Sequence, residues 1–172
     1  MNYFELFNLP ESFDVDLAGV AETYQTLQRL THPDKFAGGS EQQKLLAVQK
    51  NAQVNDAYTM LKSPLRRAEY LLELRGFDLQ HEQQTVKDTQ FLMQQMEWRE
   101  ELAEIAYQSD PLDALEALDD TISQEISKEL RQLASYLAQN GNQQAAELVR
   151  KLKFLYKMRT EIALKEEALS DV

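Results

Sequence analysis

Thr31-His32-Pro33-Asp34-Lys35-Phe36, with Gly38-Gly39-Ser40 close behind it, is the stretch on which the fold turns. Upstream, Leu17, Val20, Ala21, Tyr24, Leu27 and Leu30 recur at three- and four-residue spacing, the signature of an amphipathic helix. Asp14 can cap that helix. Its end falls at Thr31, because proline pushes the residue before it, His32, out of the α region. Downstream, Ser40 reads as the cap of a second long helix reaching Lys62, with Leu45, Val48, Val54, Tyr58 and Leu61 on its buried side. Two long helices joined by a short polar loop form an antiparallel hairpin, with His32-Pro33-Asp34 at its tip.

The remainder is also helical. Residues 3–7 form a short apolar turn that stops at Leu9-Pro10. Ser63-Pro64 breaks the second long helix, Pro64 fits the first position of the next, and Gly76 fits its end. Residues 76–84 lack periodicity and read as a linker, with His81 a solvent-exposed residue in it. Three further helices are predicted over residues 85–108, 111–139 and 142–169. Asp110-Pro111 is a cap followed by a helix-starting proline, and Asn140-Gly141 is a helix end. The middle helix buries Leu115, Leu118, Ile122, Ile126, Leu130, Leu133 and Leu137; the last buries Leu148, Leu152, Leu155 and Ile162. Three amphipathic helices with short connections make a bundle. The expectation is an all-α chain with a unit at 1–75, a linker at 76–84 and a three-helix bundle at 85–172.

Composition narrows the function. The 172 residues contain no cysteine, which removes disulfides, thiolate catalysis and the usual ligands of zinc fingers and iron–sulfur clusters. No apolar run reaches the roughly 20 residues that span a bilayer, and the N-terminus lacks a basic then apolar leader. The chain is therefore expected in the cytoplasm. The net charge is −11, with 8 basic and 10 acidic residues up to Arg75 but 10 and 19 after it. A nucleic-acid binder needs a basic footprint, so this balance argues against one. An acidic C-terminal half suits a solvated surface or a protein partner with basic patches.

The tip of the hairpin carries chemistry. Proline fixes φ and removes a donor, so the turn is stiff and its neighbours are held outward. Asp34 offers a carboxylate for charge-assisted hydrogen bonds from a partner's arginine, and His32 a small contact and possible donor. No serine or cysteine is placed to complete a catalytic triad with this pair, which argues against an enzyme. The second helix and the short helix after it contain Asn55-Asp56-Ala57-Tyr58, Leu61, Pro64 and Arg67-Ala68-Glu69-Tyr70. Together with His32-Pro33-Asp34 and with Tyr3, Leu6 and Leu9, these resemble the J-domain family over residues 1–75. The resemblance implies a hairpin with flanking short helices that binds a DnaK-type ATPase chaperone and stimulates it. The implied chaperone-binding residues are His32, Pro33 and Asp34, flanked by Gln25, Gln28, Arg29 and Lys35. Members of the family commonly carry several basic residues before the loop; here Arg29 is the only one on that helix, so electrostatic steering is thin.

The C-terminal half holds an anomaly. At roughly 100° per residue from Phe91, the side chains of Trp98, Leu102 and Ile105 lie within about 40° of it and form the core face. Leu92, Met96 and Met93 fall at roughly 100°, 140° and 200°, among Glu97, Glu100 and Glu104 at roughly 180–240°. Apolar residues on a charged face suit an adaptable protein contact, and Phe154, at the edge of the last helix's stripe, could complete it. The alternative is that Leu92 and Met93 pack on the linker or the first unit. Arg150, Lys151, Lys153, Lys157 and Arg159 form a basic run expected to pair with neighbouring acidic helices.

Beyond the J-domain, Gly76-Phe77-Asp78-Leu79, Phe91-Leu92-Met93, Arg99-Glu100-Glu101-Leu102 and Arg150-Lys151-Leu152 resemble the HscB family of iron–sulfur assembly co-chaperones. That resemblance implies two partners, an HscA-like chaperone and an IscU-like cluster scaffold, and no cofactor. It also implies that Leu92, Met93, Met96, Glu97, Glu100, Glu104 and Phe154 form the scaffold-binding surface. A J-domain protein with a different protein client is the alternative.

Overall fold

The structure, a computed structural model, describes residues 1–77, 79 and 88–171. Every regular element among them is helical, and the chain divides into two compact units, Met1–Gly76 and Phe77–Val172.

In the first unit, α1 (Tyr3–Leu6) is closed by a capping box between Asn2 and Glu5. Helices α2 (Leu17–Thr31) and α3 (Glu41–Lys62) form the hairpin, and α4 (Pro64–Leu74) comes directly after them. Cross-links between the long helices run antiparallel: Tyr24 to Asn55, then Gln28 and Thr31 to Asn51. Ser40 caps α3 through Gln43 N, and Ser63 caps α4 through Arg66 N, with Pro64 at its first turn. Phe4, Phe7, Val20, Val54, Ala57, Leu61, Ala68, Leu71 and Leu72 form the core. The Arg-Ala-x-Tyr motif has a structural use here. Buried Arg67 donates to the carbonyls of Phe13 and Leu61, both at 2.6 Å, and lies over the Phe13 ring. Tyr70 stacks on Tyr3 at 4.7 Å, and its hydroxyl accepts from Tyr3 N.

Several expected core positions are outside. Leu17, Leu30, Leu45 and Val48 are exposed, and Tyr58 is half-buried. Helices α1 and α4 both pack on α3, and its buried positions from Val54 to Leu61 match theirs in the core; toward the tip α3 meets α2 and the loop turn, and Ala47 alone is buried. A two-helix end has one narrow seam, which leaves apolar residues off that seam in water. The cap of α2 is Asp16, whose Oδ1 accepts from Ala18 N at 3.2 Å; Asp14 stays in the preceding turn, its own N–H donating to Ser12 Oγ.

In the second unit, α5 (Thr89–Glu104) tightens into a 3₁₀ turn at Ile105–Tyr107, followed by α6 (Pro111–Ala138) and α7 (Asn142–Ser170). Helix α6 turns into α7 at Asn140, which takes a left-handed φ of 59°, while Gly141 N donates to Tyr136 O at 2.7 Å. Phe91, Trp98, Leu102 and Ile105 are buried with Leu115, Leu118, Ile122, Ile126, Leu133, Leu137, Leu148, Leu152, Leu155 and Ile162. Leu130 is half-buried and its neighbour Glu129 is buried instead. Helix α5 starts at Thr89 because Asp88 caps it, accepting from Phe91 N. Within the segment read as a linker, Leu79 is buried and falls in the second compact unit. Residues 78 and 80–87, His81 among them, lie outside the described residues. Among the described residues no helix is long and apolar enough to cross a membrane.

Candidate functional site

The tip of the hairpin is a short 3₁₀ turn, Pro33–Phe36, with proline at its start. His32 is extended, as the residue before proline must be, and its Nδ1 accepts from Asp34 N at 3.2 Å. An Nδ1 that accepts carries no proton, so Nε2 is left as the ring's donor. Nδ1 also lies 3.6 Å from Asp34 Oδ2. The Asp34 side chain is 93% exposed and that of His32 48%. The arrangement can present a carboxylate and a ring N–H donor from a turn that proline stiffens.

The flanking residues divide. Gln25, Arg29 and Lys35 are exposed, whereas Gln28 Oε1 accepts from Asn51 Nδ2 at 3.0 Å and belongs to the seam between α2 and α3. Asn51 also donates to Thr31 Oγ1, Asn55 donates to Asn51 Oδ1, and the Tyr24 hydroxyl donates to Asn55 Oδ1 at 2.6 Å. This polar ladder fixes the last turn of α2, and hence where His32 begins. Asn55 is legible in the sequence as a motif residue, but the bonds by which it and Asn51 hold the end of α2 are not. Nor does the sequence reveal an open groove of about 320 Å³ beside the loop, lined by Leu30, Thr31, Phe36, Gln43, Leu46, Ala47 and Lys50.

In the second unit Leu92, Met93 and Met96 are 39%, 59% and 71% exposed. Glu97, Glu100 and Glu104 are exposed on the same helix. Phe154 is half-buried: its ring meets Phe91 edge-on at 5.8 Å, and the Arg99 guanidinium lies 5.3 Å from its centroid. Arg99 is itself bonded to Glu161. From the basic run, Lys151 reaches Asp88 at 2.7 Å, Arg159 reaches Asp119 at 3.0 Å, and Arg150 pairs within its own helix with Glu147. The Lys151 ammonium and the Phe91 N–H hold the Asp88 carboxyl below the usual carboxylate range.

Comparison with known proteins agrees with both halves. Residues 87–163 match the family described as the HSCB C-terminal oligomerisation domain. A co-chaperone protein HscB homolog of Pseudoalteromonas atlantica is 62% identical, the match covering 99% of each chain. One from Shewanella halifaxensis is 53% identical over 99% of this chain and 100% of its own. The structure of chaperone HscB from Vibrio cholerae superimposes with a TM-score of 0.90 at 46% identity, covering 98% of this chain and 99% of that one. Human co-chaperone protein HscB gives 0.89 at 32% identity, covering 96% and 82%. With a hairpin, loop and helical bundle of this form, and relatives this similar along their whole length, the chain belongs to the HscB co-chaperone family.

Proposed function

We propose that this protein stimulates the ATPase of a DnaK-type, HscA-like chaperone through the His32-Pro33-Asp34 turn and brings an IscU-like iron–sulfur scaffold to it through the second unit. The protein itself is not an enzyme; it is an adaptor that raises the activity of another. The observation that carries the reading is the pairing, in one chain, of an exposed Asp34 on a proline-stiffened turn with an exposed Leu92-Met93-Met96 surface. Asp34 offers its carboxylate to a cationic group of the chaperone. The thin basic charge around the turn is supplemented by the apolar groove at Leu30, Phe36 and Leu46, which gives the partner a non-electrostatic contact beside the loop. Methionines adapt to the shape of a partner, and surrounding glutamates favour a scaffold face that is basic.

The test uses purified chaperone and scaffold. Asp34→Asn abolishes stimulation of ATP hydrolysis while circular dichroism and melting stay those of wild type, since the side chain is almost wholly in water. Replacing Leu92, Met93 and Phe154 with alanine weakens scaffold binding by about tenfold or more, the usual scale for interface anchors. It leaves basal stimulation by the loop in place. Full stimulation by Asp34→Asn would end the loop mechanism. Normal scaffold binding by a stable triple variant would move the client elsewhere. Turnover of a small molecule without any chaperone would make the protein an enzyme.

A further inference from the structure

Helix α5 carries its exposed apolar residues on a narrow buried stripe of Phe91, Trp98 and Leu102. What else seats it is a row of side-chain contacts to α7: Lys151 to Asp88, Phe91 to Phe154, Arg99 to Glu161, and Lys165 Nζ to Leu102 O at 2.9 Å. The first of these differs from the rest because Asp88 has two duties. Its Oδ1 accepts from Phe91 N and caps the helix, and its Oδ2 accepts from Lys151 Nζ at 2.7 Å. Lys151 is no loose surface lysine. Its side chain is 14% exposed, its ammonium lies 5.5 Å from the Phe91 ring centroid, and it is within electrostatic reach of buried Glu129 on α6. One ammonium therefore engages the start of α5 twice and faces the third helix of the bundle as well.

We infer that Asp88 and Lys151 are positioning residues for scaffold binding: together they lock the first turn of α5 to α7, so that Leu92 and Met93 are held beside Phe154 as one surface. The inference rests on the reading of those three residues as the scaffold site. Leu92 N donates to Asp88 O, so the lock acts one hydrogen bond away from the presented side chains. Phe154 lies three residues beyond Lys151, on the same face of α7. A first turn free to fray would have to be ordered as the scaffold binds, and that ordering weakens affinity without removing any contact.

Asp88→Asn separates the duties, because asparagine caps a helix well but carries no charge. Lys151→Met removes the ammonium while retaining the aliphatic stem, and Lys151→Arg restores a cation. Binding of purified IscU-like scaffold protein is measured by calorimetry, with amide exchange followed at Leu92 and Met93. Asp88→Asn and Lys151→Met weaken binding by about three- to tenfold, the scale of losing one charge-assisted hydrogen bond. Both speed exchange at those two amides, and Lys151→Arg returns both readouts to near wild type. Wild-type affinity in Asp88→Asn and Lys151→Met, alongside lost affinity in Leu92→Ala/Met93→Ala, overturns the positioning role alone. Loss of affinity that tracks early melting, or that arginine does not rescue, makes the pair an ordinary stabilising contact. Normal binding by Leu92→Ala/Met93→Ala defeats the scaffold site itself, and the positioning role with it.

Discussion

Glu129 sits where the pattern of α6 calls for a hydrocarbon. It is buried, and one of its carboxylate oxygens has no hydrogen-bond partner among the described residues. Burial holds its carboxyl above the usual carboxylate range, the neighbouring Glu125 carboxylate adds to this, and Lys151 and Lys128 draw it back. A carboxyl whose folded pKa is raised favours folding most below its unfolded pKa, and that advantage is lost as pH rises through the folded value. Glu129→Gln keeps the shape and removes the titration. The variant is therefore expected to melt a few degrees above wild type near neutral pH, with the gap closing as pH falls toward about 4.5. Paired melting curves across that range check it; a gap that widens in acid refutes the assignment. Arg67 is the opposite kind of buried charge. Burial pulls its guanidinium below its ordinary value, but two carbonyls and the Phe13 ring receive it, so it serves the fold.

At the scale of the element, helix boundaries were largely legible because they are written in local chemistry. Pro33, Pro64, Asp110-Pro111 and Asn140-Gly141 each act within a turn of where they stand. Which apolar residues become core was less legible, because that depends on what lies opposite. Helix α3 is lined with leucines and valines, yet its fully buried positions include Ala57, while Leu45, Leu46 and Val48 face water. Small residues let neighbouring helices approach closely, and periodicity alone cannot tell a tight alanine seam from an adjacent leucine stripe. The same gap hid the Tyr24–Asn55–Asn51 ladder: polar residues on an inner face look like surface until the second helix is placed. The anomaly on α5 was legible, since apolar residues among glutamates break a pattern that needs no partner to read. Two substitutions measure the difference. Leu45→Ser is expected to shift stability by under about 0.5 kcal/mol, as at any exposed site. Ala57→Leu overpacks the seam and costs about 1–3 kcal/mol in denaturant titrations.

Taken whole, the molecule distributes its charge unevenly between its two units. The acidic excess lies after Arg75, whereas the turn that would meet the chaperone has the exposed cations Arg29 and Lys35 near it and Lys50 in the adjoining groove. Stimulation of the chaperone is thus expected to fall only modestly between low and physiological salt, because few screened pairs contribute. Scaffold binding, with Glu97, Glu100 and Glu104 around the methionines, is expected to fall more steeply over the same range. Measuring both in one salt series tests the contrast, and equal slopes would show that the apolar groove beside the loop carries little of the chaperone contact.

Trp98, the chain's one tryptophan, is buried in the second unit. Emission excited above the tyrosine band therefore reports from the second unit, while far-ultraviolet ellipticity sums the helices of both. Each unit has its own buried core, so the two signals are expected to trace different unfolding curves, and noncoincident probes are the mark of more than two states. A substitution in the hairpin such as Ala57→Leu should then move the ellipticity curve and leave the fluorescence midpoint where it was, which makes a single indole a built-in gauge of which half of the protein a mutation has damaged.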